Sequence, residues 1–384
     1  NSKALDIAGI NGGLPDPFGG EIHRNEAGEP SGILVDTAAL PVQSAIPPLS
    51  AAKREEAYML TQRDLFSMGL TAACDMAGGS FDADAIDFIG DMYRRGKMKM
   101  SFIAYVSVET AAALYERGPL SGEFGGRLSV RGVKILADGS LGARSAWMLD
   151  DYRDRPGHRG NGRYSDEDLY QLMLEARRNG FQLSTHAIGD AANRQVIGAY
   201  ERVLGEIPEP KDHRYRIEHA QIMERGDMKR LLALGLIPSM QFVHCTSDKN
   251  MTEDRIGAER LDRAFVWRSL IDGGAVIPAG SDAPVELVNP FHGIYAAVTR
   301  RDRDGAPKGG WLPGQRITRE EALKAFTIWG AYAAFEEHSI GSIEAGKLAD
   351  FAVIDRDIMK CPEDEIKDAS VTATVLGGNI VHGT

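Results

Sequence analysis

Apolar runs and amphipathic stretches alternate along most of the chain. The stretch AAKREEAYMLTQRDLFSM at 51–68 repeats its apolar residues with the period of a helix and ends before Gly69, and the apolar run LTAACDM follows as a short strand. The same order recurs along the chain. Seven apolar runs predict strands that begin near residues 70, 100, 132, 182, 215, 236 and 276. Such regular alternation predicts a parallel sheet that is closed or covered by helices.

Capping signals predict several helix boundaries. Ser165 precedes an acidic first turn, so we predict that it caps a helix that runs to the Arg-Arg-Asn-Gly at 177–180. Thr318 and Glu321 have the spacing of a capping box. The stretch LDRAFVWRSLIDGG at 261–274 is predicted to form one continuous helix before the last apolar run.

Two regions lie outside this alternation. Residues 1–50 are rich in Gly and Pro and predict an irregular, partly extended insertion. Near the other end, GSIEAGKLADFAVID and ATVLGGNIVHG indicate strands with Gly turns that do not belong to the parallel sheet. We therefore predict three parts: an insertion over 1–50, a barrel over 51–335, and strands of a small β-sandwich over 336–384.

Composition narrows the class of protein. The 384 residues are 43% hydrophobic and 26% charged, which are globular values. The net charge of −11, without a long basic run, argues against a nucleic-acid partner. Three scattered cysteines indicate a reducing compartment, so we expect a cytoplasmic protein. No apolar stretch reaches about 18 residues, so we expect no membrane span. Composition leaves open whether copies of the chain form a homo-oligomer.

Side chains suited to metal binding lie at the ends of four of the predicted strands. They are Lys134, His186, His219 and Asp282. These residues are too far apart in sequence for a zinc finger or a local metal loop. Because the carboxyl ends of parallel strands meet at one end of a barrel, we expect the four side chains to converge there. A neutral imidazole is the commonest metal ligand, and a carboxylate can both bind a metal and move a proton.

Each of these residues also has a structural interpretation. A single histidine at a strand end is more often an ordinary core or surface residue, and Asp282 after Gly-Ser can simply cap the next turn. Lys134 lies within an apolar strand, where an inward charge is costly to desolvate. It could snorkel on an outer face, pair with Asp138, or be carboxylated by CO₂ into a ligand with two hard oxygens. Two histidines at consecutive strand ends favour a ligand role for both.

Seven segments together resemble a known family. In chain order they are GVKILADGSLGARSAW, THAIGDAA, IEHAQ, PSMQFVH, GSDAPV, AAVTR and GSIEAGKLADFAVID. This set spans essentially the whole chain and is similar to the metal-dependent amidohydrolase superfamily, in particular its amidohydrolase-3 (YtcJ-like) branch. The resemblance implies a (β/α)₈ TIM barrel with a small β-sandwich, and a site for one or two divalent metal ions, with Zn²⁺ expected.

The resemblance also implies roles for the strand-end residues. Lys134 matches a bridging carboxylated lysine, and His186 and His219 match metal-binding histidines. Asp282 matches an aspartate that is both a metal ligand and the general base of catalysis.

Three further residues match positions that bind substrate. Gln241 and His244 fall where this branch contacts its substrate, and Arg144 is a weaker candidate of the same kind. For all three, ordinary polar contacts within loops are an equal alternative.

One family feature is absent from the sequence. The family carries a His-x-His pair at the end of the first barrel strand, and no two of the nine histidines here are separated by one residue. Residues 1–50 match the later part of an insertion that separates strands one and two in this branch. We therefore expect strand one, its His-x-His and the first half of the sandwich to lie upstream of Asn1.

These inferences predict a metal-dependent hydrolase that cleaves a carbon–nitrogen bond, in an amide, N-acyl or N-formyl group of a small molecule. Asp282 would move a proton from the attacking water to the leaving nitrogen. Two alternatives stay open: a deaminase of a cyclic amidine or aminoheterocycle on the same site, and an inactive, truncated or degenerate barrel. The absent His-x-His favours the inactive barrel, whereas the retained lysine, histidines and aspartate favour the enzyme.

Overall fold

The structure, a computed structural model, describes residues 1–76 and 82–384. The strands of this part are β1 (Gly20–Arg24), β2 (Pro30–Asp36), β3 (Ala72–Asp75), β4 (Ser101–Val106), β5 (Leu120–Gly122), β6 (Leu128–Leu136), β7 (Gln182–Ala187), β8 (Arg216–His219), β9 (Ile237–Ser239), β10 (Phe351–Ile354), β11 (Val371–Leu376) and β12 (Asn379–Gly383). The helices are α1 (Ser2–Ile7), α2 (Leu40–Ser44), α3 (Ala51–Ser67), α4 (Ala83–Arg94), α5 (Val108–Leu114), α6 (Glu123–Gly126), α7 (Asp166–Arg178), α8 (Asp190–Glu206), α9 (Arg225–Ala233), α10 (Phe242–Ile256), α11 (Trp267–Asp272), α12 (Pro290–Thr299), α13 (Arg319–Ala325) and α14 (Ile328–Ala333).

Six strands form one curled parallel sheet in the order β3-β4-β6-β7-β8-β9. The short strand β5 pairs antiparallel with β6 beside them. These six strands lie where the first six apolar runs were predicted to form strands. The α/β class and the parallel pairing are therefore confirmed.

The seventh predicted strand, AVIPAGS at 275–281, is only partly formed. It continues the sheet beyond β9 through a single parallel bridge between Met240 and Ala279. Met240 donates its N–H to the Pro278 carbonyl at 3.0 Å and accepts from the N–H of Gly280 at 3.2 Å. Pro278 has no N–H with which to extend the ladder. The segment therefore lies beside β9, as predicted, but contributes a bridge rather than a strand.

A separate antiparallel sheet, β10-β11-β12, lies near the C-terminal end. It confirms that the predicted C-terminal strands lie outside the parallel sheet. Arg127 before β6 forms a two-pronged ion pair with Asp350, whose side chain is 3% exposed. The Thr374 hydroxyl on β11 donates to the Phe66 carbonyl of α3 at 2.6 Å. In the described residues this region is one sheet of three strands, so the second layer of the predicted sandwich is not seen.

Residues 1–50 are more regular than predicted. Strands β1 and β2 form an antiparallel hairpin, with α1 before it and α2 after it. Ile10, Ile22 and Ala38 form a small hydrophobic core that is separate from the main core. The hairpin was not predicted because Gly and Pro lie within its strands, at Gly20, Pro30 and Gly32.

Two predicted helix starts are confirmed. The Ser165 hydroxyl accepts a hydrogen bond from the N–H of Asp168 at the start of α7. Thr318 and Glu321 form both hydrogen bonds of a capping box at the start of α13. Since each cap is a local hydrogen bond between near neighbours, its sequence signal was sufficient.

The prediction of one helix over 261–274 is wrong. The chain forms a 3₁₀ helix at Ala258–Arg263 and then α11, with a break at Phe265, whose φ is 51°. The N–H of Phe265 donates to the Gln221 carbonyl at 2.8 Å, and Ala264 forms a bridge with Ile222. The backbone here pairs with the segment after β8 instead of continuing a helix.

The main core lies between the parallel sheet and its helices. Its largest fully buried side chains include Trp267, Tyr200, Tyr215 and Phe242. In the residues described, no helix combines the length and the apolar character needed to cross a bilayer.

Candidate metal centre

Parallel pairing brings the candidate residues of β6, β7 and β8 to one edge of the sheet. Leu136 pairs with His186, and Ala187 pairs with His219. Lys134 faces the same side as Leu136, because alternate residues of a strand share a face. The ring centroids of His186 and His219 are 4.5 Å apart. The strand ends therefore bring these side chains together.

His219 reaches this edge through a break in strand geometry. The preceding residue, Glu218, faces the inner side of the curled sheet. There the Ser184 hydroxyl donates a hydrogen bond to its carboxylate at 2.8 Å. Regular alternation would turn His219 to the opposite face. Instead, His219 and Ala220 have φ angles of 72° and 44°. Left-handed backbone in residues other than glycine is costly and is concentrated at functional sites. Here it turns two consecutive side chains to the same side.

His219, His244 and Asp282 form a cluster of potential metal ligands. One donor atom of each lies within 4.8 Å of the donor atoms of the other two. His244 comes from the first turn of α10, directly after β9, and its ring stacks on that of His219 with centroids 5.7 Å apart. Asp282 follows the 275–281 segment, and its φ of 54° is also left-handed. Three segments that are distant in sequence thus place three potential metal-ligand atoms close together.

Two ring nitrogens of this cluster are buried and have no hydrogen-bond partner among the described residues, Nδ1 of His219 and Nε2 of His244. Buried polar atoms in native proteins are rarely left unpaired unless an ion or a water completes them. Burial lowers the pKa of His219 well below its usual value, and the neighbouring His186 and Lys134 lower it further. Neutral imidazole is the form that binds metals. Two such nitrogens and a carboxylate fit a divalent ion such as Zn²⁺.

His186 is oriented by the loop that follows β6. Its Nε2 lies 3.1 Å from the Gly139 carbonyl oxygen and 3.3 Å from Oδ1 of Asp138. The carboxylate of Asp138 is fully buried and also accepts hydrogen bonds from the backbone N–H groups of Trp147, Ile188 and Gly189. Metal-binding histidines usually donate one ring N–H to a carbonyl or carboxylate, which fixes the other nitrogen as the ligand. These contacts leave Nδ1 of His186 as the nitrogen available to a metal.

Lys134 lies inside the sheet with only 9% of its surface exposed. Burial lowers the pKa of its amine, while the negative charges of Glu218 and Asp282 raise it. Pairing with Asp138, one of the predicted alternatives, is not observed, and Lys134 forms no ion pair with any described residue. Glu218 is instead paired with Arg216 at 2.8 Å. An unpaired buried charge is costly. We therefore expect Lys134 either to have a further partner or to be modified so that its charge changes.

The residues predicted to contact substrate occupy two kinds of position. Gln241 precedes α10, is 9% exposed, and carries its amide beside the His219 ring. His244 lies in the ligand cluster itself, which the sequence argument did not predict. Arg144 is held by Asp154 through hydrogen bonds of 3.0 and 2.8 Å and does not contact the cluster in the described part of the chain. Its role in binding substrate stays a prediction.

Sequence reasoning missed Asp248, which lies one helical turn after His244 on α10. Its carboxylate accepts a hydrogen bond from Nε2 of Gln221 at 2.8 Å. Burial raises the pKa of Asp248, and the nearby His244 lowers it. Because Gln221 is two residues beyond His219, this bond ties the ligand-bearing end of β8 to α10. The four-residue spacing of His244 and Asp248, which places them on one helix face, was the available signal.

Several known proteins are similar in sequence to this chain over all or nearly all of its length. The chain is 34% identical to protein LONG AFTER FAR-RED 3 of Arabidopsis thaliana and 32% identical to the putative amidohydrolase YtcJ of Bacillus subtilis (strain 168). Both alignments cover 100% of this chain, and they cover 66% and 71% of the two relatives. It is also 30% identical to an N-substituted formamide deformylase of Arthrobacter pascens, over 98% of this chain and 70% of that protein. The chain thus spans about two thirds of the length of these relatives.

The fold is also shared. An uncharacterized metal-dependent hydrolase from Pyrococcus horikoshii OT3 aligns with 94% of this chain and 70% of its own, with a TM-score of 0.78 and 26% identity. The model of the amidohydrolase family matches residues 1–382. A curled parallel sheet with histidines and an aspartate at its strand ends agrees with that match, and the chain belongs to the amidohydrolase family.

Proposed function

We propose that the protein is a metal-dependent hydrolase that cleaves the carbon–nitrogen bond of an amide, N-acyl or N-formyl group in a small molecule. The observation that carries this proposal is the cluster of His219, His244 and Asp282, in which two buried ring nitrogens have no hydrogen-bond partner among the residues that the structure describes. The similarity to a protein named N-substituted formamide deformylase supports cleavage of this kind of carbon–nitrogen bond.

We assign the metal to His186, His219 and Asp282, with Lys134 as a further ligand after carboxylation. His244, the third member of the cluster, is assigned to the substrate that binds beside the metal, so that the substrate completes its buried Nε2. The Lys134 amine is buried and has no ion-pair partner among the described residues. Carboxylation would remove its positive charge and supply two oxygens beside the cluster. Nitrogen and oxygen donors of this kind suit Zn²⁺, with one or two ions in the site.

A divalent ion bound here would lower the pKa of a bound water towards about 7 and would polarise the substrate carbonyl. The protein's own groups handle the proton and the substrate. The carboxylate of Asp282 accepts the proton of the attacking water and delivers it to the leaving nitrogen. Gln241 and His244 hold the substrate from the N-terminal end of α10, and Arg144 contributes from the rim.

The proposal also covers the domain organisation of the chain. We propose a (β/α)₈ barrel over 51–335, an insertion over 1–50 and part of a β-sandwich over 336–384. Six parallel strands and the bridge at Ala279 support the barrel, and β10-β11-β12 supports the sandwich.

Metal analysis and turnover of N-formyl and N-acyl amines test this function. Purified protein should contain about one or two divalent ions per chain and should release an amine together with a carboxylic acid. Release of ammonia from an aminoheterocycle would instead support the deaminase. Asp282→Asn should abolish turnover while the protein stays folded. Asp87→Asn, at an exposed position on α4, is the matched control and should leave turnover unchanged.

A separate variant tests carboxylation. Lys134→Ala should bind less metal, and short carboxylates such as formate or acetate should partly restore it. Metal content equal to that of the unaltered protein would rule out Lys134 as a ligand. Protein without metal and without activity would support the inactive barrel.

A further inference from the structure

The N-terminal hairpin touches the loop that supports His186. We propose that Asp36, at the end of β2, is a positioning residue for the metal site, because it fixes the Gly139 loop and, through that loop, the ring of His186. This inference rests on the proposed metal site and adds to it a residue from outside the barrel.

Contacts connect Asp36 to His186 in a short chain. Oδ1 of Asp36 accepts a hydrogen bond from Nη2 of Arg163 at 3.1 Å. Its Oδ2 lies against Gly139, where a methyl group added to the glycine would be only 2.6 Å away. The Gly139 carbonyl oxygen is in turn 3.1 Å from Nε2 of His186. The backbone N–H of Arg163 donates to the Ala137 carbonyl at 2.8 Å. Asp36 therefore contacts both ends of the loop between β6 and α7, with Gly139 near its start and Arg163 near its end.

The backbone of Asp36 is strained. Its φ of 49° and ψ of −120° lie in a region that residues with a side chain rarely adopt and that glycine adopts readily. Nothing within the hairpin requires a carboxylate at this position, since glycine would complete the same turn without strain. What aspartate adds is a charge held between Gly139 and Arg163, with the side chain 18% exposed. Strain of this kind persists where the surrounding contacts impose it, and it clusters around functional sites.

Other ties between the hairpin and the barrel are weaker. Glu21 on β1 pairs with Arg155 at 3.4 Å, and both side chains are more than one third exposed. The small core of Ile10, Ile22 and Ala38 packs within the N-terminal region. Asp36 is therefore the hairpin residue best placed to transmit its position to the strand ends.

The test compares metal affinity with the stability of the metal-free protein. Three variants break the contacts of Asp36: Asp36→Gly, Asp36→Asn and Arg163→Met, the last from the barrel side. Asp16→Asn is the matched control. Like Asp36, Asp16 pairs with an arginine, but its partner is Arg24 of the hairpin itself, at 2.8 Å. Affinity is measured by titrating the metal-free protein with Zn²⁺ in a calorimeter, and with Co²⁺ by its visible absorption, which reports ligand geometry.

We expect each of the three variants to weaken metal binding about tenfold, as is typical when support behind a ligand histidine is lost. The Co²⁺ spectrum should change with it. Asp36→Gly should melt at the same temperature as the unaltered protein or higher when metal-free, because it relieves the strain. Lower affinity together with equal or greater stability is a combination that a purely structural role would not produce.

Two results would overturn the inference. One is a metal affinity within about twofold of the unaltered protein in both Asp36→Gly and Arg163→Met, well short of the loss expected for a supporting residue. The other is an equal loss in Asp16→Asn, which would point to the hairpin as a whole. If the unaltered protein binds no metal, the proposed function fails, and this inference fails with it.

Discussion

Replacing Asp138 with asparagine tests how the strand-end loops are held. The two oxygens of this fully buried carboxylate accept three backbone N–H groups at 2.8–3.0 Å, and Oδ1 lies 3.3 Å from Nε2 of His186. Asparagine has nearly the same shape but replaces one acceptor oxygen with an NH₂ donor. Whichever way the amide is turned, at least one backbone N–H then faces another donor.

The expected cost follows from the number of bonds lost. A hydrogen bond to a buried charged group contributes about 1.5–3 kcal/mol, and a buried donor left unpaired costs about 1–3 kcal/mol. With the amide oxygen towards Trp147 and Gly189, only the bond to Ile188 and the contact with His186 are lost. We therefore expect Asp138→Asn to lower the free energy of unfolding by about 2–4 kcal/mol. Since domains are typically stable by about 5–15 kcal/mol, this is a large fraction of the total.

Urea unfolding of the metal-free protein, followed by circular dichroism, measures this loss. Metal-free protein is used so that ion binding does not contribute to the difference. The control Asp87→Asn removes an exposed carboxylate on α4 and should change the free energy of unfolding by less than about 0.5 kcal/mol. A change equally small in Asp138→Asn would refute the claim that this carboxylate organises the strand ends.

Three further variants test the fold away from the metal site. Arg127→Ala leaves the buried carboxylate of Asp350 unpaired, so we expect the free energy of unfolding to fall by about 3–5 kcal/mol; an unchanged urea midpoint would contradict this. Burial lowers the pKa of His213, whose Nδ1 accepts the Tyr215 N–H at 3.0 Å. The unfolded chain therefore binds this proton more readily, so stability should fall as the pH drops below about 6.5. His213→Gln should flatten that dependence, and an identical slope in both proteins would argue against it. Thr318→Ala removes the cap of α13 and should cost about 1 kcal/mol, seen as a lower melting temperature; equal melting temperatures would show that the cap contributes nothing.

The strand and helix order could be predicted because each element carries its own signal. Strand β6 is an apolar run, and α7 begins at Ser165 with acidic residues behind it. Such signals depend on residues within one turn or one strand of each other. The position of Lys134, His186 and His219 followed from the same logic, because parallel strands end at a common edge.

The membership of the cluster could not be predicted in the same way. His244 joins His219 and Asp282 because α10 begins directly after β9. The segment of α10 is polar over much of its length, so its apolar periodicity is too weak to indicate a helix. His244, which the sequence placed only in the segment after a strand, therefore lies in the candidate metal centre.

The amino-acid sequence alone determined the alternation of elements, the caps of α7 and α13, and the strand-end placement of the candidate ligands. The tertiary structure decided the break at Phe265, the turn of His219 towards its partners, and the contact of Asp36 with the Gly139 loop. Each of these features places a residue in left-handed or strained backbone, at a cost of about 1–3 kcal/mol. Only contacts with residues distant in sequence offset that cost, and such contacts exist only once the chain has folded.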